Sequence, residues 1–341
     1  MATPDGRNVF LDVCKGIGIL CVYYGHTALW GTMPSKMIFS FHMPLFFLVS
    51  GILFSVCSFR NALAKTWNNL LLPYLLFVVV GQLIKIDQTF AAWSTHPLLC
   101  FLRIVHGEGS NAIWFLICLA DLQIVMAMIF RNVCSLSTGE KALGILTLAL
   151  IADLVFRTVP SHFIPHFPVM LASVPSGGVF FLTGVCFKDF FLYATKNNLS
   201  LRTAILWLLP VFTVFVTLAI SVKGTIDIRR AMFSLKVFPV CLAGLACVYV
   251  VASLSMHISP VRSLLSALGR RSLPLFAMEL PLGYVLAKVT NDYFPKEFFT
   301  TPHVGYIEPI RIFTILALAW FSSWPLMWAL DKIRRIANVQ P

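Results

Sequence analysis

Four ionisable side chains stand in apolar surroundings that tolerate them poorly: Asp12, Lys15 and His26 in a run near 9–31, and His42 in the next, near 36–57. A charge at the centre of a bilayer costs roughly 2.5–3.5 kcal/mol on insertion scales, so such residues face a protein interior or a wet cavity and mark a site. Lys15 and His26 enclose ten residues, and eleven steps of about 100° return to nearly the same helix face while rising about 16 Å. One wall therefore offers a cation near one membrane face and an imidazole towards the other. Asp12, three residues before Lys15, has the spacing of an ion pair on that wall. His42, early in the second run, matches the depth of His26 near the end of the first, so the two imidazoles can meet across a short connection. Imidazole is the side chain best suited to take a proton from a hydroxyl near neutral pH.

The elements that must hold these residues are transmembrane helices. The 341 residues are 58% hydrophobic and 12% charged, with a mean hydropathy of +0.84, against roughly 25% charged residues in a soluble domain. A helix crosses the hydrocarbon core in about 20 residues, which predicts an all-α integral membrane protein with a bundle of about ten spans. They fall near 9–31, 36–57, 67–87, 112–133, 141–158, 168–188, 203–222, 235–256, 273–290 and 311–330. Between them, 88–111 is a connector whose middle, PLLCFLRIV, is too short to span and is expected to lie in the interface or re-enter; it ends in the polar turn HGEGSN. The loops hold no second soluble domain, so 1–341 reads as one transmembrane domain. The first run carries Asp12 and Lys15 and lacks a small-residue cleavage site, so it is expected to stay as a helix rather than leave as a signal peptide.

The net charge of +12 is loop charge that sets orientation and meets anionic lipid, and it does not call for nucleic acid. With the N-terminus inside, the cytoplasmic loops hold fourteen Lys and Arg and the outer loops eleven, which places both termini in the cytoplasm. The outer loop KGTIDIRRAMFSLK is itself basic. The nine cysteines lie mostly in apolar runs with no CxxC and no His–Cys cluster of metal-ligand spacing, so no metal site is expected. No nucleophile elbow accompanies Ser, Asp and His, and no Gly-rich phosphate loop is present. Pro44, Pro73, Pro175, Pro210, Pro239 and Pro281 inside apolar runs predict kinks that open cavities between helices.

The run LDVCKGIGILCVYYGH, followed by FSFHMPLFFLVSG, resembles the opening of the acyltransferase-3 family of membrane acyltransferases, particularly its fucose 4-O-acetylase-like branch. The basic residue, ten-residue gap and His of that family match Lys15 and His26, and its Phe-His-Met-Pro-Leu-Phe-Phe run matches Phe41 to Phe47. Supporting matches are LLPY at Leu71 to Tyr74, IWFL at Ile113 to Leu116, FFLTG at Phe180 to Gly184 and RRSLPLF at Arg270 to Phe276. After that last segment many relatives place a His where this chain has Glu279. The resemblance implies transfer of an acyl group, usually acetyl from acetyl-CoA, to a hydroxyl of a sugar or polysaccharide at the plasma (inner) membrane. No permanently bound cofactor is implied; acetyl-CoA is the acyl donor substrate.

In that reading His26 is the general base on the acceptor hydroxyl or a transient acyl carrier, and His42 orients it or shares the proton. Asp12, Lys15 and Glu279 support them, and Phe41, Pro44 and Trp114 wall the acyl or acceptor pocket. Glu279 lies about as far into the ninth span as Lys15 lies into the first, so a buried Lys15–Glu279 pair is expected. The competing reading is a polytopic transporter of a small solute, for which midplane charges and helix-breaking prolines are equally natural; no two-fold symmetry between halves accompanies it here. An acyltransferase acting on a lipid or small glycoside is a third.

Overall fold

A bilayer leaves no water to satisfy peptide groups, so a chain this apolar must close its backbone hydrogen bonds within helices. The computed structural model describes residues 7–26, 32–55, 58–107, 113–159, 170–222, 227–228, 234–293 and 304–336. The described residues form α-helices and no strand: α1 (Val9–Gly25), α2 (Met33–Leu53), α3 (Phe59–Thr66), α4 (Leu72–Ile84), α5 (Ile86–Thr95), α6 (Pro97–Val105), α7 (Trp114–Ser135), α8 (Thr138–Thr158), α9 (Val174–Cys186), α10 (Lys188–Lys196), α11 (Leu201–Ser221), α12 (Phe238–His257), α13 (Ser259–Arg270), α14 (Ser272–Tyr293) and α15 (Val304–Ile336). The protein is a polytopic, all-helical membrane protein. Among the described residues seven helices are long and apolar enough to cross a bilayer, or eight if the pair α9–α10, bent by 70°, counts as one span. Each of the ten expected spans overlaps a helix. The difference lies in α1, with 17 residues, in α8, which carries Glu140, Lys141, Asp153 and Arg157, and in the bend at Phe187.

Outward faces are apolar where lipid is the solvent: Leu206 and Leu209 on α11 and Phe313 and Phe321 on α15 are exposed, a pattern a water-facing surface rarely sustains. The connector folds as α5 and α6, neither long enough to cross, with Leu98, Phe101 and Val105 exposed. It is held by the Tyr74 hydroxyl, which donates to the Ile104 carbonyl at 2.6 Å. Most of HGEGSN and of the basic loop KGTIDIRRAMFSLK lies outside the described residues.

The prolines divide by position. Pro44, Pro210 and Pro281 stand inside α2, α11 and α14. Pro175 and Pro239 instead start α9 and α12, where the missing N–H would have had no partner anyway. Pro73 follows a π-helical turn at Trp67–Leu71 that joins α3 to α4, so the wide turn absorbs the ring that an α-helical ladder rejects.

Two close crossings fix the bundle around α1 and α2. A Cβ on Gly269 of α13 would lie 1.8 Å from the Asp12 carbonyl oxygen, and one on Gly16 would lie 2.0 Å from that of Leu265. Only hydrogen fits there, as at small-residue helix contacts in membranes generally. Gly51 of α2 and Gly184 of α9 meet similarly, each Cβ position within 2.3 Å of a backbone oxygen of the other helix. Since Leu265 meets Gly16 and Gly269 meets Asp12, α13 runs against the direction of α1. The chain reverses at Arg271, whose guanidinium stacks 4.1 Å from the rings of both Trp320 and Trp324, and α14 then climbs alongside α1.

Gly269→Ala therefore sets two effects against each other. Alanine gains about 0.5–1 kcal/mol of helix propensity over glycine, but a methyl driven into backbone that cannot yield costs about 1–3 kcal/mol. The variant is expected to unfold at lower temperature than the wild type in detergent; a raised melting temperature would show that α13 does not lie on α1.

Candidate active site

At its N-terminal end, α1 is capped by Asn8, whose side-chain oxygen accepts from the Leu11 N–H at 3.2 Å. Asp12, buried in the first turn, accepts from Lys15 Nζ at 2.6 Å and from Arg7 at 3.4 Å. The i, i+3 pair that the spacing allows thus forms, and it neutralises the buried carboxylate. Breaking a buried pair by removing one partner typically costs about 3–5 kcal/mol. Asp12→Asn, which strands the Lys15 ammonium, is expected to lower thermal stability more than the double substitution Asp12→Asn with Lys15→Met; equal losses would mean the pair contributes nothing.

At the other end of α1, His26 is the C-cap residue. Its ring meets α14: Nδ1 lies 3.0 Å from Glu279 Oε2, with side-chain exposures of 17% for His26 and 7% for Glu279. One turn earlier the Tyr23 hydroxyl donates to the Leu275 carbonyl at 2.8 Å, so two successive contacts fix α14 against the end of α1. A carboxylate only accepts, which places the proton of neutral His26 on Nδ1 and leaves Nε2 as the basic nitrogen.

This corrects the expected Lys15–Glu279 pair. Lys15 is held by Asp12, and Glu279 is held by His26 about 16 Å further along the helix. The physical reason is α13. It takes the flank of α1 at Asp12 and Gly16, while α14, whose fourth residue Leu275 already meets Tyr23, brings Glu279 one turn later to the level of His26 rather than that of Lys15.

His42 is buried in α2, and its Nδ1–H donates to the Ile38 carbonyl at 2.9 Å. A carbonyl only accepts, so His42 also keeps Nε2 as its basic nitrogen. Phe39 lies between the two imidazoles, 5.6 Å from His26 and 5.0 Å from His42 between ring centroids. The structure brings both histidines to the same end of the α1–α2 pair, joined by a ring rather than by a hydrogen bond.

Behind His26 opens a cavity of about 310 Å³, lined by Tyr23, His26, Lys85, Glu279, Tyr284 and Arg311 with apolar residues of α14 and α15. Lys85 Nζ sits 5.3 Å from the centre of the Tyr284 ring. Burial pushes the Lys85 ammonium below its ordinary range, and the Glu279 carboxylate opposes that. At the rim Asp87 accepts from Lys288 Nζ at 2.9 Å and from the Tyr284 hydroxyl at 3.2 Å; the lysine holds its carboxyl down at about 2. A second cavity, of about 390 Å³ and almost wholly apolar, lies towards the opposite end of α1 beside Phe10, Leu11 and Cys14.

The expected pocket residues pack elsewhere among the described residues. Phe41 faces α11 and α12, 5.7 Å from Phe215 and against Gly244. Pro44 is buried within α2, and Trp114 starts α7 against Phe47 at 6.4 Å. Neither cavity is lined by these three. Asp153 pairs with Arg157 at 2.6 Å and accepts from the Leu235 N–H, whereas Asp121 Oδ2 is buried with no hydrogen-bond partner among the described residues. The eight described cysteines are free. Among the described residues no three His, Cys, Asp or Glu side chains gather as metal ligands.

Sequence reasoning missed the cavity's own lining. Lys85 and Arg311 counted only as outer-loop charge, and the available signal was that both end a predicted span at the level predicted for His26 and His42. Tyr284 follows Glu279 by five residues in α14.

Fold and site together define a polytopic membrane protein with an imidazole–carboxylate dyad on the wall of a polar cavity. The chain belongs to the acyltransferase-3 family: the family's model, described as an acyltransferase domain, matches residues 8–328. It is thus a membrane acyltransferase by family. Neither curated proteins nor solved structures gave a match to it.

Proposed function

We propose that this protein moves an acetyl group from acetyl-CoA to a hydroxyl of a cell-surface sugar or polysaccharide, as in the fucose 4-O-acetylase-like branch, at the plasma (inner) membrane with both termini cytoplasmic. The observation that carries this reading is the 3.0 Å contact of His26 Nδ1 with Glu279 beside the cavity. It leaves Nε2 to take the proton of a hydroxyl bound there. As the proton leaves, the hydroxyl oxygen forms a bond to the acetyl carbonyl carbon, the C–S bond to CoA breaks, and the imidazolium returns the proton to the departing thiolate. Glu279 holds the ring in the right tautomer and faces the imidazolium that forms, the part a carboxylate plays beside a catalytic histidine. His42 backs the same end of the helix pair through Phe39.

The donor belongs at the opposite end. Arg7 and Lys15 stand near the start of α1, and Arg270 and Arg271 at the α13–α14 turn beside it, and such cations suit the phosphates of CoA. The wall from Lys15 to His26 then spans the distance from donor to acceptor.

Purified protein in detergent, given labelled acetyl-CoA and a panel of glycans, tests the reading. Label is expected to appear on one class of glycan as an ester, with release of one CoA thiol per ester. Solute binding and flux with no ester formed would make the protein a transporter. Orientation has its own test: cysteines introduced at Lys65 and Lys141 are expected to react with an impermeant thiol reagent from the cytoplasmic side only, and one at Lys288 from outside only. Reaction of the 65 and 288 positions from one side would overturn the layout.

A further inference from the structure

The second cavity, of about 390 Å³ beside Phe10, Leu11 and Cys14, is built for an apolar occupant. Among the described residues no charged side chain lines it. The hydroxyls in its wall are already spent on backbone: Thr183 donates to the Val179 carbonyl at 2.7 Å, Thr195 to that of Leu192 at 2.9 Å and Tyr249 to that of Ala194 at 3.2 Å. A sugar, a nucleotide or a group of waters would find few polar partners there. An apolar cavity of about 150 Å³ stays dry and takes up a benzene ring. This one is more than twice that size, and left empty it would cost stability in proportion to its volume.

Its length and its opening name the occupant. On α12 the lining runs from Phe238 to Tyr249, about 16 Å of helix, which is about half of a hydrocarbon core of roughly 30 Å. That is the depth of one leaflet, and so of one fatty acyl chain. Phe190 and Leu242 line the space and are also 64% and 45% exposed, so it opens sideways to the bilayer. At one end it meets the start of α1, where Tyr249 lies 5.4 Å from the Phe10 ring and Thr195 accepts from the Asn8 side chain at 2.7 Å. There α10, bent by 70° from α9, carries Lys188, Asp189 and Lys196, and an excess of cations at a membrane face suits a lipid phosphate.

We infer that this cavity is a lipid site: it takes one fatty acyl chain of a phospholipid from the leaflet at the N-terminal end of α1, with the headgroup beside α10. The site stands apart from the acyl-transfer reading. Phe10 and Cys14 project from α1 away from Gly16 and Tyr23, which meet α13 and α14. The chain therefore fills the space between α1, α2, α9, α10 and α12 and is not the group transferred.

Native mass spectrometry of the full-length protein in mild detergent tests the site. Wild type is expected to retain about one phospholipid per protein. Ala194→Trp and Ala246→Trp each place an indole in the cavity and are expected to cut that retention at least tenfold, whereas Leu206→Trp, on the lipid-facing side of α11, keeps it. No retained lipid in the wild type, or full retention in both cavity variants, would overturn the inference. A phospholipid with a photoreactive diazirine near the end of one chain decides it without any variant. Label is expected on peptides 45–52 and 242–249, and label confined to the outward faces of α11 and α15 would refute the site. Displacement of the phospholipid by palmitoyl-CoA, with palmitoyl then transferred in preference to acetyl, would also refute it, because the space would then serve the donor's acyl group.

Discussion

Replacing His26 with alanine is expected to lower the turnover of acyl transfer by about 10²- to 10⁴-fold, the usual contribution of a positioned general base. The protein should stay folded, because His26 stands at the end of α1 and not within its packed length: its side chain is 17% exposed, while Phe10, Val13, Ile19 and Val22 carry the buried face. KM for acetyl-CoA should change little, since the donor's cations lie at the other end of the helix. His42→Ala is expected to cost less, because His42 spends its Nδ1–H on the Ile38 carbonyl and meets His26 only through Phe39. Turnover near that of the wild type in purified His26→Ala would remove the proton-transfer role from this residue. A His42→Ala loss equal to that of His26→Ala would make the two histidines a single unit.

Glu279→Gln is expected to be nearly as damaging as His26→Ala, and the double variant little worse than either. Groups that act as one unit lose their effect together, so their losses do not add. Glutamine keeps the shape of the side chain but can donate to the ring, which puts the wrong tautomer within reach and removes the charge facing the imidazolium. Strict additivity in rate would mean that Glu279 answers to a different group. The same cycle run with Lys15→Met should be additive, since sites further apart than about 7–10 Å with no shared partner rarely couple, and Lys15 is held by Asp12. Coupling of Lys15 to Glu279 and not to Asp12 would restore the pair that span-counting predicts.

The contrast between those two cycles shows what the sequence could carry. Helical spacing is local, so the Asp12–Lys15 pair was legible from residue numbers alone. So was the meeting of His26 and His42 at one end, since two helices joined by a short connection must run side by side. The level of Glu279 was not legible, because counting residues from the edge of an apolar run assumes that the run starts at the membrane face. Here Leu275, four residues into α14, already meets Tyr23 near the far end of α1, so that assumption fails. The number of spans depends in the same way on how a short or charged helix such as α1 or α8 is counted. Phe41 and Trp114 mark a third limit: an aromatic beside a motif packs on whichever helix happens to face it, here α12 for Phe41 and α2 for Trp114. Lys85 and Arg311 reach one cavity from segments more than 200 residues apart, which no local pattern records.

The central claim is that one helix links a donor end at Lys15 to an acceptor end at His26 and Glu279. Sealed proteoliposomes test it directly, with labelled acetyl-CoA enclosed on the side of the protein's termini and acceptor glycan outside. The account predicts labelled acetyl ester on the outer glycan, formed by wild-type protein and reduced at least a hundredfold by His26→Ala. Ester formed only when donor and acceptor share a side, or formed equally well by His26→Ala, would contradict it.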